Sequence, residues 1–111
     1  MQALPPKYVR RIHLTNKFGD LSQVVHVTVQ FQDHTATYTL GNGETIAVEH
    51  EIDHGDWKAV DPILNITVRT GDENGAVLGS QAFSSDAGVK IHNVTLIHDG
   101  EGNLKFEIFD A

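Results

Sequence analysis

Glu44-Thr45-Ile46-Ala47-Val48-Glu49-His50-Glu51-Ile52-Asp53-His54-Gly55-Asp56-Trp57 contains, from His50 to His54, a literal H-E-x-x-H. On a helix the two histidines would stand one turn apart on one face and bind one zinc ion, with Glu51 activating the metal-bound water. On a strand four residues span roughly 13 Å, too far for the ~2 Å bonds of a shared metal. The local pattern decides for the strand. Thr45, Ile46 and Val48 are β-branched, and Ile46, Val48 and Ile52 fall on a two-residue period that gives a helix no coherent apolar stripe. His50 then faces inward with them, where a histidine is commonly hydrogen-bonded at the edge of a core. Glu49, Glu51 and Asp53 form a solvated outer face.

The same alternation runs through most of the chain. It begins at Tyr8 to Leu14, and a loop with Asn16 and Gly19-Asp20 follows. In Ser22 to Phe31, Val25, Val27, Val29 and Phe31 share one face; Gln32-Asp33 turns the chain, and a two-residue connection sets Ala36, Tyr38 and Leu40 opposite Val29, Val27 and Val25. After the Gly41-Asn42-Gly43 turn, Thr45 to Asp53 reads as one strand and residues 54–62 as the longest loop. Ile63 to Thr70 follows with Leu64, Ile66 and Val68 inward, then Ala76 to Phe83, a strand weakened by Gly79. In Val89 to His98 the apolar phase changes, which predicts a bulge near His92-Asn93. Leu104 to Phe109 ends the pattern, with Leu104, Phe106 and Ile108 inward. About eight strands with regularly spaced turns predict an all-β fold, a single-domain antiparallel β-sandwich over residues 1–111 with Greek-key connections of immunoglobulin-like or C2-like type. Residues 1–7, with Pro5-Pro6, read as a flexible N-terminal arm.

Composition narrows the function classes. Fifteen acidic against eight basic residues give a formal charge of -7, which argues against a nucleic-acid partner, since that binding rests on neutralising phosphates. Residues 1–17 hold Lys7, Arg10, Arg11 and Lys17 and no acid, so the acidic surplus lies wholly in the rest of the chain. The chain has no cysteine, which removes disulfides, thiolate ligands and cysteine nucleophiles and fits a reducing compartment. No apolar run has the length of a membrane span, and no signal peptide is visible. A cytoplasmic location is expected, with secretion after removal of an unseen signal as the alternative.

His50-Glu51-Ile52-Asp53-His54, with Glu49 before it, resembles the zinc-binding helix of peptide deformylases. The resemblance covers those residues alone. It implies zinc on His50 and His54 with Glu51 as base, hence a zinc-dependent hydrolase, and a third ligand from a cysteine, which this chain does not have.

Loop chemistry offers binding sites instead. If every strand crosses the fold, one end gathers Asp20, Glu44, Asp72, Glu73, Asp99 and Glu101, oxygen ligands of the kind a C2-like module uses for calcium. The other end gathers Asp33, His34, Asp53, His54, Asp56, Trp57 and Asp61. A lone tryptophan among carboxylates and histidines is the composition of a carbohydrate or peptide platform; alternatively Trp57 folds under as a plug. The reading is a non-catalytic binding or protein-interaction module without cofactor, binding a protein or carbohydrate ligand through Asp53, His54, Asp56 and Trp57. Calcium and zinc are the alternatives as cofactors, and edge strands offer a route to a homo-oligomer.

Overall fold

Strict alternation of Val, Ile and Thr offers a pleated sheet one apolar face and one polar face, and the chain takes that form. The computed structural model describes residues 8–18, 24–70, 75–85, 88–99 and 103–111. The expected arm, residues 1–7, lies outside them. The strands are β1 (Tyr8–Lys17), β2 (Val24–Phe31), β3 (Thr35–Gly41), β4 (Thr45–Val48), β5 (Glu51–Asp53), β6 (Lys58–Val60), β7 (Ile63–Thr70), β8 (Val77–Ala82), β9 (Val89–His98) and β10 (Leu104–Asp110). Among the described residues none is helical, and no helix is long and apolar enough to cross a membrane.

Eight strands form one mixed sheet in the order β10-β9-β1-β7-β2-β3, with β4 beside β1 and β8 beside β7; β5 and β6 form a separate two-stranded sheet. The β2–β3 hairpin has the register expected from sequence, with Val25, Val27 and Val29 opposite Leu40, Tyr38 and Ala36. The expected all-antiparallel pairing is corrected by β1 and β9, which run parallel from Tyr8 and Val89 to Lys17 and Ile97. A short turn dictates antiparallel neighbours, but β1 and β9 are distant in the chain, so no local pattern sets their direction. β1 and β7 meet at one bridge, Val9 to Ile63. The pairings therefore define two groups of four, β10-β9-β1-β4 and β8-β7-β2-β3.

One apolar cluster draws on both groups. Val9, Ile12, Leu14, Val48, Val94 and Leu96 come from the first, and Val25, Val27, Val29, Phe31, Leu40, Ile63, Ile66 and Val68 from the second. Each such side chain contributes about 1.5–3 kcal/mol on burial. Asn16 is buried as well, where a loop was expected. Its side chain donates to the Leu40 carbonyl at 3.1 Å and accepts from the Phe18 amide at 3.0 Å. β1 and β3 are thereby tied at one end.

Two corrections concern phase. The irregularity expected in β9 lies in its neighbour: Val9 pairs with Lys90 and Arg11 with Ile91, so Arg10 is the extra residue and β9 is continuous. Val89 faces out while Val94 and Leu96 are buried. In β7, Phe31 pairs with Ile63 and Gln30 with Asn65, which leaves Leu64 as the extra residue. Leu64 is accordingly exposed and Ile63 takes the core position, because a bulge shifts the two-residue period by one.

Candidate functional site

Beyond Val48 the chain leaves the sheet, and the expected strand Thr45 to Asp53 divides into β4 and β5. The division coincides with two polar anchors. Arg11 of β1 donates to both carboxylate oxygens of Glu49, the residue after β4, Nε to Oε2 at 3.1 Å and Nη2 to Oε1 at 2.9 Å. Arg10 adds a longer contact of 3.8 Å. The hydrogen bonds from Arg11 hold the Glu49 carboxyl below its ordinary value, and those same bonds raise Arg11.

The next residue, His50, begins the hairpin that replaces the expected long loop. Glu51 pairs with Val60, Ile52 with Ala59 and Asp53 with Lys58. One step below, the Asp61 amide donates to the His50 carbonyl at 2.8 Å, so His50 and Asp61 face each other across the stem. Nδ1 of His50 lies 3.0 Å from Oδ2 of Asp61. Asp61 is fully buried (0% exposed), and its Oδ1 accepts the Asp33 amide at 2.9 Å. The Gln32 amide donates to the Pro62 carbonyl, which fixes the β2–β3 turn beside the stem. His34 of that turn stacks on His50, with ring centroids 4.2 Å apart and planes 15° apart, and Phe31 lies tilted against both rings. Asp33, His34 and Asp61 were expected at one end of the fold and meet there; His50 joins them as a hydrogen-bonded histidine at the edge of the core.

At the tip, the His54 amide donates to the Trp57 carbonyl at 2.9 Å, closing a connection of Gly55 and Asp56. Gly55 has φ +92°, the positive value that matches a two-residue turn to strand twist. Asp53 Oδ1 accepts the Gly55 amide at 2.8 Å, so that carboxylate shapes the turn. His54 and Trp57 oppose each other across the hairpin with rings stacked at 4.1 Å and 15°. Trp57 is 59% exposed, which overturns the alternative that it plugs the fold: the tight turn at Gly55-Asp56 carries it away from the core. Asp56 is exposed beside it. The four residues singled out from sequence are thus neighbours on one projecting hairpin, Asp53 as its turn-maker, His54 and Trp57 as a stacked pair and Asp56 at its apex.

The H-E-x-x-H segment is extended, as its alternation predicted, and its histidines part company. His50 turns to Asp61 and His34, His54 to Trp57. Without the helical turn, the arrangement on which the deformylase resemblance depends is not formed. Among the described residues, no three His, Cys, Asp or Glu side chains gather as a metal site. Of the carboxylates proposed for calcium, Asp20, Asp72, Glu73 and Glu101 lie outside the described residues. Glu44 accepts the Gly41 amide at 2.6 Å and Asp99 the Asn103 amide at 3.2 Å, each within its own turn.

The sequence reading missed the His50–Asp61 pair and the hairpin itself. Both had a signal: Gly55-Asp56 is a two-residue turn, and counting outward from it sets His54 against Trp57 and His50 against Asp61. In comparisons with protein-family models, curated proteins and solved structures, no match was found.

Proposed function

We propose that the chain is a non-catalytic binding module and that the β5–β6 hairpin is its ligand-contacting element, recognising carbohydrate or peptide. The observation that carries this reading is the exposed Trp57, stacked flat on His54 at the tip of a hairpin that, among the described residues, forms its own two-stranded sheet. Free aromatic surface at such a position costs solvation free energy and gains it back when an apolar face of a ligand covers it. His54 supports the indole from one side, and Asp53 and Asp56 supply acceptors for hydroxyl or amide donors. The stem is held against the body by Arg11 on Glu49, by the Asp33 amide on Asp61 and by His34 stacked on His50, which limits the ordering needed on binding.

We also infer that the two groups of four strands face one another as the layers of a β-sandwich. The shared apolar cluster and the single bridge between β1 and β7 support this.

Trp57 is the sole tryptophan, so its fluorescence reports directly on the tip. Panels of neutral oligosaccharides and of peptides are titrated against the protein. A ligand that shifts the emission, and whose binding is lost in Trp57→Ala but retained in Phe109→Ala, sustains the reading. Binding that survives Trp57→Ala places the site elsewhere.

A further inference from the structure

Among the strand edges of the described residues, β3 is the least guarded. β10 carries Lys105 and Glu107, β4 is four residues long, and β8 has an irregular register, features by which sheet edges avoid pairing with other chains. β3 reads Thr35-Ala36-Thr37-Tyr38-Thr39-Leu40-Gly41, with no charge, no proline and an unbroken register against β2.

The phase of that ladder fixes which backbone groups are open. The Phe31 amide donates to the His34 carbonyl at 2.8 Å. Every second residue from there, Ala36, Tyr38 and Leu40, therefore points its amide and carbonyl toward β2. Thr35, Thr37 and Thr39 point theirs to the outside, where β3 has no second strand among the described residues. On the inward face Ala36 and Tyr38 pack against the core yet stay short of full burial.

We propose that β3 pairs antiparallel with β3 of a second copy of this chain, about a two-fold axis through Thr37. In that register Thr37 opposes Thr37 and Thr35 opposes Thr39. Each pair exchanges both of its hydrogen bonds, and all the open groups are satisfied together. Ala36 of each copy meets Tyr38 of the other, small against large, and the partly exposed inward face is covered. An axis through Tyr38 sets ring against ring and draws in Gly41, whose amide and carbonyl are already engaged by Glu44. A two-fold axis brings any charge near it close to its own copy, and in a chain of formal charge -7 β3 carries none. One strand of this length buries less than a standard interface, so the association is weak, with a Kd on the order of 10 μM. This inference does not rest on the hairpin reading.

Sedimentation velocity from roughly 1 to 100 μM brackets such an affinity. The wild type is expected to pass from monomer to dimer. Thr37→Lys keeps every backbone group of the β2–β3 ladder, gives up only the exposed 3.5 Å hydroxyl contact with Thr28, and sets two ammonium groups opposite one another; it is expected to raise Kd at least about tenfold. Thr67→Lys, which adds the same charge on β7 away from the edge, is expected to leave Kd within about twofold. Independently, Thr37→Cys introduces the sole thiol, and directly opposed residues of such a pair lie ~5.5 Å apart at Cα, within disulfide reach. Mild oxidation is expected to yield a covalent dimer from Thr37→Cys and none from Ser80→Cys. A wild type that stays monomeric, a dimer that Thr37→Lys leaves unchanged, or a Thr37→Cys protein that does not cross-link overturns the proposal.

Discussion

Two carboxylates hold the hairpin by different physics. Glu49 sits at a part-open surface under a bidentate guanidinium, whereas Asp61 is sealed from water and spends both oxygens on the Asp33 amide and the His50 ring. Removing Asp61 therefore leaves the part-buried Asp33 amide and His50 ring without their shared acceptor. Asp61→Ala is expected to cost about 1–3 kcal/mol in urea unfolding, the range for leaving such groups unpaired. Trp57→Ala, at an exposed tip, is expected to stay within about 0.5 kcal/mol. Glu49 predicts a dependence on pH. Its folded value lies below the ordinary 4.5, so its contribution is fully present above that value and is lost as pH falls through the lowered one. The stability difference between wild type and Glu49→Gln is thus expected to shrink as unfolding is followed from about pH 5 toward pH 3. The sequence disclosed little of these roles. An Asp before a proline and a Glu after a valine look alike as solvated residues until the partner strand is known.

The hairpin β5–β6 shows how one turn changes the meaning of a segment. Gly55-Asp56 reverses the chain so tightly that residues expected in a loop become paired strand, and the reversal puts aromatic against aromatic at the tip and acid against imidazole at the base. The positive φ of Gly55 is the condition for this. Gly55→Val places a β-branched side chain where φ is +92°, and is expected to cost about 1–3 kcal/mol of local order. Faster amide exchange confined to residues 51–60, with β1 and β9 unchanged, is the measurement that checks it. A loss of protection spread over the whole sheet contradicts the view that the hairpin opens as a separate unit.

In the molecule as a whole, the two four-strand groups are tied by few backbone contacts and many side chains. Gly79 marks one place where they come close: a Cβ there would stand 3.3 Å from Leu104 Cδ2 and 3.4 Å from Phe106 Cε2. Alanine asks those side chains to give by a few tenths of an ångström. Valine asks for more, and Gly79→Val is expected to lower stability by about 1–3 kcal/mol in urea unfolding, the cost of overpacking. An unchanged midpoint would mean that β8 and β10 separate freely.

What the sequence determined by itself is the local periodicity. Alternating β-branched and polar residues made strands, excluded the helix that H-E-x-x-H needs, and set the register of β2 on β3 through a two-residue turn. These follow from forces between near neighbours in the chain. What only the tertiary structure decided are the pairings between distant segments. They include the parallel run of β1 beside β9, the bulges that push Arg10 and Leu64 out of phase, and the burial of Asp61 beneath His50 and His34. Each depends on which strand lies alongside, and a two-residue period is the same whichever neighbour it meets.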